Sequence, residues 1–500
     1  MLNNKKVQYV FVDLDKTLIK TDSLVENIFD LFLREPLSFF KVILTYLVSN
    51  KLEFKKYIYL KQKRRQLYFP IREDLVDYLN YLKSEGNIIV LISASYLESV
   101  KNIIRDNNLD YLFDYVYGSE SINLKGSEKH KKIKEIIAYL NKQKNLDLTE
   151  ADCIYCGDSK DDLAIWEHIG QAIIAGRKAE YLKNKLEKSH YNSKEIKLFS
   201  EKESVLFGLL KAMRLHQWAK NALIFIPLLI SFNFNKFGLV FDAFLTFLIF
   251  SIGASSTYIL NDIWDIQNDR QHLTKKNRPF ASGVLSPFLG LFISLSLIFC
   301  TLIYSYLFFD KTFGIYISYL LITSFYSFVL KKLPILDIIT LSGLYTIRII
   351  AGNLSCDIAI SYWLLAFSIL FFLSLAFLKR YTEIKNKEIK TGKKVLILPG
   401  RAYSSEDSMF LLGSGLASYI SSVVIFGLYI TSPVILTFYR APELLYLVQL
   451  ILIYLVGNMW YLANRGQMND DPVLFFVKDI RCLFCIFLIG IVFLISHFGF

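Results

Sequence analysis

The sequence predicts two parts: an α/β domain over about residues 1–200, and an all-α polytopic membrane domain over about 205–500. In the first part, apolar strands alternate with helical patterns, which is typical of a parallel sheet covered by helices. These strands lie at 7–13, 87–92, 115–117, 153–156 and 171–175. In the second part, apolar stretches long enough to span a bilayer recur almost to the end of the sequence, and they predict about nine transmembrane helices. They are 222–234 (a short one), 238–260, 286–309, 312–330, 335–352, 359–378, 408–431, 443–463 and 482–499.

The net charge of +12 has two possible sources, nucleic-acid binding and membrane topology. If nine helices alternate across the bilayer, the loops on one side carry 17 Lys and Arg residues, whereas the opposite loops carry 3. Basic loops face the cytoplasm in membrane proteins. The sequence therefore predicts a protein of the cell inner membrane whose N-terminal domain lies in the cytoplasm, with no nucleic-acid partner.

Acidic side chains follow two strands of the predicted sheet. Asp13 and Asp15 come after the first strand, and Asp158 and Asp162 follow the strand at 153–156. The carboxyl ends of parallel strands meet at one edge of the sheet, where ligands bind. Carboxylates gathered there repel one another unless a cation lies between them, so we expect a Mg²⁺ site.

Together with Ser93 and two lysines, these residues form four motifs in order along residues 1–195: DxDxT, a Ser, a Lys and GDxxxD. In this the segment resembles the haloacid dehalogenase-like phosphatases, which have a Rossmann-like fold. The resemblance implies that Asp13 attacks phosphorus as the nucleophile and that Asp15 acts as general acid and base. Ser93 and one lysine would hold the phosphoryl oxygens. Lys125 is favoured over Lys129 because a glycine follows it, as is common in this family.

The same resemblance predicts the metal ligands and a small helical cap. Mg²⁺ would bind Asp13, Asp158, Asp162 and the carbonyl oxygen of Asp15. The cap is expected at about 23–70. Within it, an apolar stretch at 37–48 precedes seven Lys and Arg residues at 51–65. This composition fits a surface that lies on an anionic bilayer, and it equally fits an ordinary cap helix packed on the domain.

A second acidic group follows the membrane stretch 238–260. Asp262, Asp265 and Asp269 have the spacing i, i+3, i+7, which places them on one face of a helix beside Asn261. Such a face suits Mg²⁺ bound to a diphosphate. Basic residues follow at Arg270, Lys275 and Arg278. They could bind phosphate oxygens, or they could reflect the positive-inside rule alone.

This part of the chain resembles the UbiA superfamily of membrane prenyltransferases, and more closely its decaprenyl-phosphate phosphoribosyltransferase-like branch. The matching stretches are Met213–Asn221, Tyr258–Asp262, Asp269–Pro279, Tyr326–Ser327 with Lys331 and Lys332, Pro334–Asp337, Arg348–Gly352 and Lys379–Glu383. Most of the superfamily has a second acidic motif after the sixth span. Here Lys379, Arg380 and Glu383 stand at that place.

A donor with an additional phosphate, such as phosphoribosyl diphosphate, would favour cations at this place, and a positively charged helix end is the alternative. Lys379 and Arg380 would bind its 5-phosphate, with Arg401 behind them. The remaining substrate-binding candidates come from the matching stretches. They are Asn261, Arg270, Lys275, Arg278, Tyr326, Lys331, Arg348 and Glu383.

The expected function is the transfer of phosphoribose from phosphoribosyl diphosphate to a polyprenyl phosphate, after which the soluble domain removes the ribose 5-phosphate. Two alternatives remain open. The membrane half could be an aromatic prenyltransferase with an unrelated phosphatase attached. The soluble half could also be a non-catalytic regulatory module that binds phosphate or a partner.

Overall fold

The computed structural model describes residues 7–62, 65–188, 195–201, 203–398, 400–468 and 471–499. The chain forms two compact units. The first combines Met1–Ala212 with Leu260–Phe292, and the second combines Met213–Ile259 with Ile293–Phe500. The segment that carries the second acidic group therefore belongs to the unit of the N-terminal part. The predicted domain limits, 1–200 and 205–500, remain predictions.

The first unit is built on a six-stranded parallel sheet, which confirms the predicted α/β class. Its strands are β1 (Tyr9–Val12), β2 (Ile88–Tyr96), β3 (Tyr115–Ser119), β4 (Ile154–Gly157), β5 (Gln171–Ala175) and β6 (Glu195–Phe199). They lie in the order β3-β2-β1-β4-β5-β6. Strand β6 was not predicted, because charged residues alternate with apolar ones along it. Within the described residues it lies at the edge of the sheet and pairs with β5. The carboxyl ends of β1 and β4 are neighbours.

Both faces of the sheet are buried, as the continuous apolar strands predict. Val10 and Val12 of β1 point into one apolar cluster. Tyr9 and Phe11 point into another, on the opposite face. The helices of this part are Ser23–Arg34, Pro36–Val48, Lys51–Gln62, Glu73–Ser84, Leu97–Asp106, Ser127–Lys144, Leu163–Trp166 and Ala179–Lys188.

Three helices, Ser23–Arg34, Pro36–Val48 and Lys51–Gln62, lie where the cap is predicted, and both interpretations of its composition find support. Phe54 and Ile58 are buried in a small apolar cluster, as in a packed cap. Leu47 and Val48 are exposed at the end of the helix Pro36–Val48. The basic run does not form one surface, because the Lys55 ammonium turns inward and donates to the Ala94 carbonyl at 2.5 Å. Two of its residues, 63 and 64, lie outside the described residues.

The second part is helical, and the chain is a multi-pass membrane protein. Seven helices of the described residues are long and apolar enough to cross a bilayer. They are Phe237–Trp264, Pro287–Phe308, Leu336–Ser355, Tyr362–Thr391, Ser405–Ile430, Pro442–Asn464 and Ile480–Phe498. Shorter or less apolar α-helices are Val205–Met213, Ile226–Ile230, Ile266–Arg270, Asp310–Phe328 and Pro472–Lys478.

The predicted number of nine spans is not confirmed. The stretch 222–234 forms the end of an irregular 3₁₀ segment, Leu215–Phe225, and the five-residue helix Ile226–Ile230, which is far shorter than the bilayer core. The stretch 312–330 does form a helix, Asp310–Phe328, but its charged start and several polar residues leave it outside the seven.

Candidate functional site

The first acidic pair lies where β1 ends. Asp13 follows Val12 directly, and its carboxylate accepts a hydrogen bond from the Leu14 backbone N–H at 2.8 Å. Asp15 points in another direction. Its two oxygens accept from the Ser23 N–H at 2.6 Å and the Ser95 hydroxyl at 2.8 Å. The two carboxylates therefore have separate surroundings although only one residue lies between them.

A buried lysine contacts Asp13. The Lys129 ammonium lies 2.7 Å from the Asp13 carboxylate and donates to the Tyr155 hydroxyl at 3.2 Å. Lys125 instead pairs with Asp161 at 3.1 Å in an exposed position. The preference for Lys125 is therefore not supported, and the structure favours Lys129. The glycine after Lys125 was a poor guide, because Lys125 precedes the helix Ser127–Lys144 and is exposed. Lys129 lies in the first turn of that helix and reaches Asp13 at the carboxyl end of β1.

Three carboxylates meet at the ends of β1 and β4. Oxygens of Asp13, Asp158 and Asp162 all lie within 4.8 Å of one another. Burial, together with the charges of Asp162 and Asp15, raises the pKa of Asp13 to about 6 despite the contact with Lys129. Burial and the charges of Asp13 and Asp162 raise the pKa of Asp158 to about 8. Three hard oxygen donors that lack sufficient positive charge fit a divalent cation such as Mg²⁺.

Asp162 is held rigidly. Its carboxylate accepts from the Ser159 N–H at 2.9 Å and from the Ser159 hydroxyl at 2.8 Å, which forms a capping box. The Tyr155 hydroxyl donates to its other oxygen at 2.7 Å. Tyr155 thus connects Asp162 with Lys129. This tyrosine is not among the residues predicted from the sequence, because it occupies an ordinary position in an apolar strand.

Ser93 and Ser95 lie in β2, beside these carboxylates. Ser93 is fully buried, and its hydroxyl oxygen accepts from the Ser95 N–H at 3.0 Å. The sequence analysis assigned Ser93 a role and overlooked Ser95, whose hydroxyl contacts both Asp15 and the Ser23 hydroxyl. An S-x-S pattern at the end of a predicted strand was the available signal.

The second acidic group lies on a kinked helix. The helix Phe237–Trp264 ends just before Asp265, whose backbone leaves helical geometry, and the short helix Ile266–Arg270 follows. One uninterrupted helical face was therefore a wrong expectation. Helical hydrogen bonding nevertheless continues after the kink, because the Asp269 N–H donates to the Asp265 carbonyl at 2.8 Å. Asn261 is half-buried at the end of the long helix.

Arg278 bridges two of the three carboxylates. Its guanidinium donates to Asp262 at 3.1 Å and to Asp269 at 2.8 Å. Burial raises the pKa of Asp269, and the nearby Arg278 lowers it in part. The carboxylate oxygens gathered here are also the donors that suit a divalent ion.

The other basic candidates of this segment take different positions. Arg270 is buried and forms a bidentate ion pair with Glu26, at 2.7 and 3.1 Å. This pairing contradicts its expected role as a phosphate ligand, since its charge is already neutralised by a carboxylate. Lys275 is exposed.

In the second unit, the charge of Arg380 is likewise compensated by carboxylates. It is fully buried and donates to Asp337 at 2.6 Å, to both oxygens of Glu383 at 2.7 and 2.8 Å, and to the Tyr326 hydroxyl at 2.8 Å. The Tyr403 hydroxyl donates to the second Asp337 oxygen at 2.6 Å. The expected role of Arg380 in holding a 5-phosphate is therefore wrong in this conformation, because two carboxylates occupy the guanidinium.

Arg401 lies beside this network. It donates to the Lys331 carbonyl at 3.2 Å, and its guanidinium lies 5.7 Å from the centre of the Tyr326 ring. Arg380 and Arg401 both lie beside Tyr326. Arg380 contacts two carboxylates, whereas the described hydrogen bond of Arg401 goes to a neutral carbonyl.

A second group of cations in this unit has less negative charge. Lys220 and Lys379 share one carboxylate, Asp471, at 2.6 and 3.6 Å. These two lysines hold the pKa of the partly desolvated Asp471 well below its usual range. Asp471 is further fixed as the N-cap of the helix Pro472–Lys478. Of these three residues, Lys379 alone was predicted from the sequence, although Lys220 lies in the matching stretch Met213–Asn221.

Arg348 is linked to Lys220 through Asn221, the next residue in the chain. It is buried in the helix Leu336–Ser355 and donates to the Asn221 side chain at 2.6 Å and to the Tyr319 hydroxyl at 3.1 Å. A further hydrogen bond reaches the Leu344 carbonyl. All these described partners are neutral. A buried cation with neutral partners in a membrane helix is costly, so Arg348 remains a candidate binding residue.

Comparison with known proteins agrees with the two-part organisation. Residues 224–488 match the UbiA prenyltransferase family, and residues 10–167 match the haloacid dehalogenase-like hydrolase family. The uncharacterized protein y4nM of Sinorhizobium fredii is 33% identical over 473 residues, which cover 93% of this chain and 87% of that protein. Nodulation protein NoeC of Azorhizobium caulinodans is 31% identical over 289 residues, 57% of this chain and 92% of that protein.

A third relative is the decaprenyl-phosphate phosphoribosyltransferase of Mycolicibacterium smegmatis. It is 30% identical over 231 residues, which cover 45% of this chain and 71% of the relative. The fold and the two acidic centres define a membrane protein fused to a hydrolase-type α/β domain. The chain belongs to the UbiA prenyltransferase family, and its N-terminal part is a haloacid dehalogenase-like domain. Both families indicate an enzyme, and the predicted resemblance to the decaprenyl-phosphate phosphoribosyltransferases is confirmed.

The two candidate lysines of the phosphatase site can be separated by mutation. Lys129→Met is expected to lower hydrolysis of p-nitrophenyl phosphate by at least about 100-fold, because it removes the cation beside Asp13. Lys125→Met should change the rate less than about threefold, because this lysine is exposed. The assay uses the purified full chain in detergent. A larger loss in Lys125→Met than in Lys129→Met would contradict this assignment.

The Arg380 network should stabilise the helical part. Asp337→Asn leaves a buried guanidinium with one carboxylate fewer, and breaking a buried pair costs about 3–5 kcal/mol. We expect a clearly lower apparent melting temperature in detergent. Asp357→Asn is the matched control, because its ion pair with Lys311 is exposed and should contribute at most about 1 kcal/mol. Equal melting temperatures for the two variants would argue against a stabilising role of the network.

Proposed function

We propose that the membrane half transfers phosphoribose from phosphoribosyl diphosphate to a polyprenyl phosphate. The observation that carries this proposal is the basic group Arg348, Lys220 and Lys379, which has a single described carboxylate partner, Asp471. The excess of positive charge suits a donor with a phosphate in addition to its diphosphate. The 30% sequence identity to the decaprenyl-phosphate phosphoribosyltransferase of M. smegmatis supports the same class of substrates.

In this reaction, an oxygen of the lipid phosphate attacks the anomeric carbon of the ribose. The bond from that carbon to the diphosphate oxygen breaks, and diphosphate leaves with the electron pair. Asp262, Asp265 and Asp269 would hold Mg²⁺, whose charge would stabilise the departing diphosphate. Arg278 donates to Asp262 and Asp269 in this structure, and it would turn to the diphosphate oxygens once Mg²⁺ replaced it on these two carboxylates. Lys379 and Lys220 would bind the 5-phosphate, a role that Arg380 cannot fill.

The phosphatase domain would then remove the 5-phosphate of the ribose. The Asp13 carboxylate attacks phosphorus, and Asp15 protonates the departing ribose oxygen. Lys129 and Ser93 hold the phosphoryl oxygens, and Asp13, Asp158 and Asp162 would bind Mg²⁺. Water, activated by Asp15, hydrolyses the aspartyl phosphate. The separate environment of Asp15, between Ser23 and Ser95, supports its role as the acid and base.

A non-catalytic regulatory domain is the less favoured alternative. The described residues include a nucleophile candidate, a buried lysine at 2.7 Å from it and three clustered carboxylates. A domain that only bound a partner would need none of this geometry. An aromatic prenyltransferase is also less favoured, because Lys379 and Arg380 stand where a second acidic motif would lie.

We further propose that the protein lies in the cell inner membrane with its N-terminal domain and the loop 379–407 in the cytoplasm. The uneven distribution of Lys and Arg between alternate loops supports this topology. Labelling of Lys390→Cys in intact cells tests it, and access from outside would contradict it.

The transfer reaction is tested with membranes that contain the full chain, labelled phosphoribosyl diphosphate and polyprenyl phosphate, with mass analysis of the lipid product. We expect a lipid that carries phosphoribose or ribose. Asp262→Asn should abolish product formation because it removes a carboxylate from the proposed metal site. Hydrolysis of p-nitrophenyl phosphate by the same protein should persist. Near-normal transfer in Asp262→Asn would exclude this metal site.

The coupled phosphatase step is tested by the phosphate count of the lipid. Asp13→Asn cannot form an aspartyl phosphate, so its lipid product should retain the ribose 5-phosphate. The wild-type protein should yield a lipid with one phosphate fewer. Mass analysis of both lipids measures the difference. Identical products from the two proteins would show that the phosphatase domain acts on another substrate.

A further inference from the structure

Arg270 follows Asp269 directly, and it is fixed by four hydrogen bonds. Its guanidinium forms the bidentate pair with Glu26 and also donates to the Tyr68 carbonyl at 2.7 Å and to the Ala281 carbonyl at 3.1 Å. The side chains of Arg270 and Glu26 are only 3% and 6% exposed. A planar guanidinium held by several acceptors has little freedom, so the backbone that carries Asp269 is held with it.

Glu26 is itself anchored to the phosphatase site. It lies in the first turn of the helix Ser23–Arg34, which is capped by Asp22. The Ser23 N–H donates to Asp15 at 2.6 Å, and the Ser23 hydroxyl lies 3.2 Å from the Ser95 hydroxyl. The position of Glu26 is therefore set by the carboxyl ends of β1 and β2.

Other contacts of the segment 266–288 with the N-terminal part surround this pair. The Tyr68 N–H donates to the Gln267 side chain at 2.9 Å, and the rings of Phe29 and Phe288 lie 4.9 Å apart. Gly283, with a φ of +80°, approaches so closely that a Cβ there would lie 2.8 Å from the Thr21 side chain. The segment thus packs along its length on the N-terminal part of the same unit.

We propose that Glu26 is a positioning residue for the transferase, because it holds Asp269 in place through Arg270. Transfer then requires the folded phosphatase domain, although it does not require phosphatase catalysis. This inference rests on the proposed role of Asp269 as a metal ligand. It also gives the fusion of the two enzymes a physical reason, since one domain completes the metal site of the other.

The chain offers a matched control on the same surface. Glu73 pairs with Lys276 of the same segment at 3.2 Å, but the two side chains are 78% and 48% exposed. An exposed ion pair contributes little, whereas the loss of one partner from a buried pair leaves the other charge unpaired. Glu26→Gln and Glu73→Gln therefore remove the same charge from one interface with different expected consequences.

The experiment measures three quantities in full-length wild type, Glu26→Gln and Glu73→Gln. The first two are the transfer rate and the Mg²⁺ concentration for half-maximal transfer. The third is the rate of trypsin cleavage after Lys275 and Lys276, which are exposed in this segment. We expect Glu26→Gln to lower transfer at least about tenfold, to raise the required Mg²⁺ and to accelerate cleavage. Glu73→Gln should differ from wild type less than about twofold in the transfer rate and the required Mg²⁺.

A higher Mg²⁺ requirement separates positioning from a general loss of folded protein, which would lower the rate alone. Unchanged transfer and Mg²⁺ dependence in Glu26→Gln would overturn the proposal, even if cleavage became faster. If the wild-type protein shows no transfer, the proposed function fails, and cleavage then decides the structural part. Equal cleavage of all three proteins would show that Glu26 does not hold the segment.

Discussion

Buried charge must be compensated, and this constraint organises each candidate site of the molecule. In the phosphatase site, three carboxylates surround one lysine, and in the segment after residue 260 two buried carboxylates share Arg278. Both centres bring carboxylate oxygens together, and such donors suit a divalent cation. In the second unit the balance is reversed, because Lys220 and Lys379 share Asp471. Carboxylate groups suit metal ions, whereas a group of cations suits anions such as phosphate.

The same residue type takes opposite roles according to its neighbours. Arg380 and Arg348 are both buried arginines in membrane helices, but Arg380 contacts two carboxylates whereas the described partners of Arg348 are neutral. Only Arg348 therefore retains charge for an anionic ligand. Lys129 and Lys125 differ in the same way, since one lies against Asp13 and the other is exposed.

The acidic segment 260–292 is continuous in sequence with the membrane part but packs with the N-terminal part. It continues directly from a membrane helix, yet it belongs to the compact unit of the N-terminal part. The Glu26–Arg270 pair stands at the centre of this packing and is shielded from water. Low local polarity strengthens such a pair and makes the loss of either partner costly. The proposed metal-binding segment depends in this way on a residue more than two hundred positions earlier in the chain.

The sequence alone determined the two-part architecture, five of the six strands and the two acidic groups. These features are local, because strand and span patterns follow from apolar periodicity, and short motifs keep their residues together along the chain. It did not determine the number of spans, since the stretch 222–234 folds into an irregular segment that apolar composition does not reveal. Only the tertiary structure decided which basic residues keep uncompensated charge. Partners such as Glu26 for Arg270, Asp337 for Arg380 and Asp471 for Lys220 lie far away in the sequence, and ion pairing depends on distance in space.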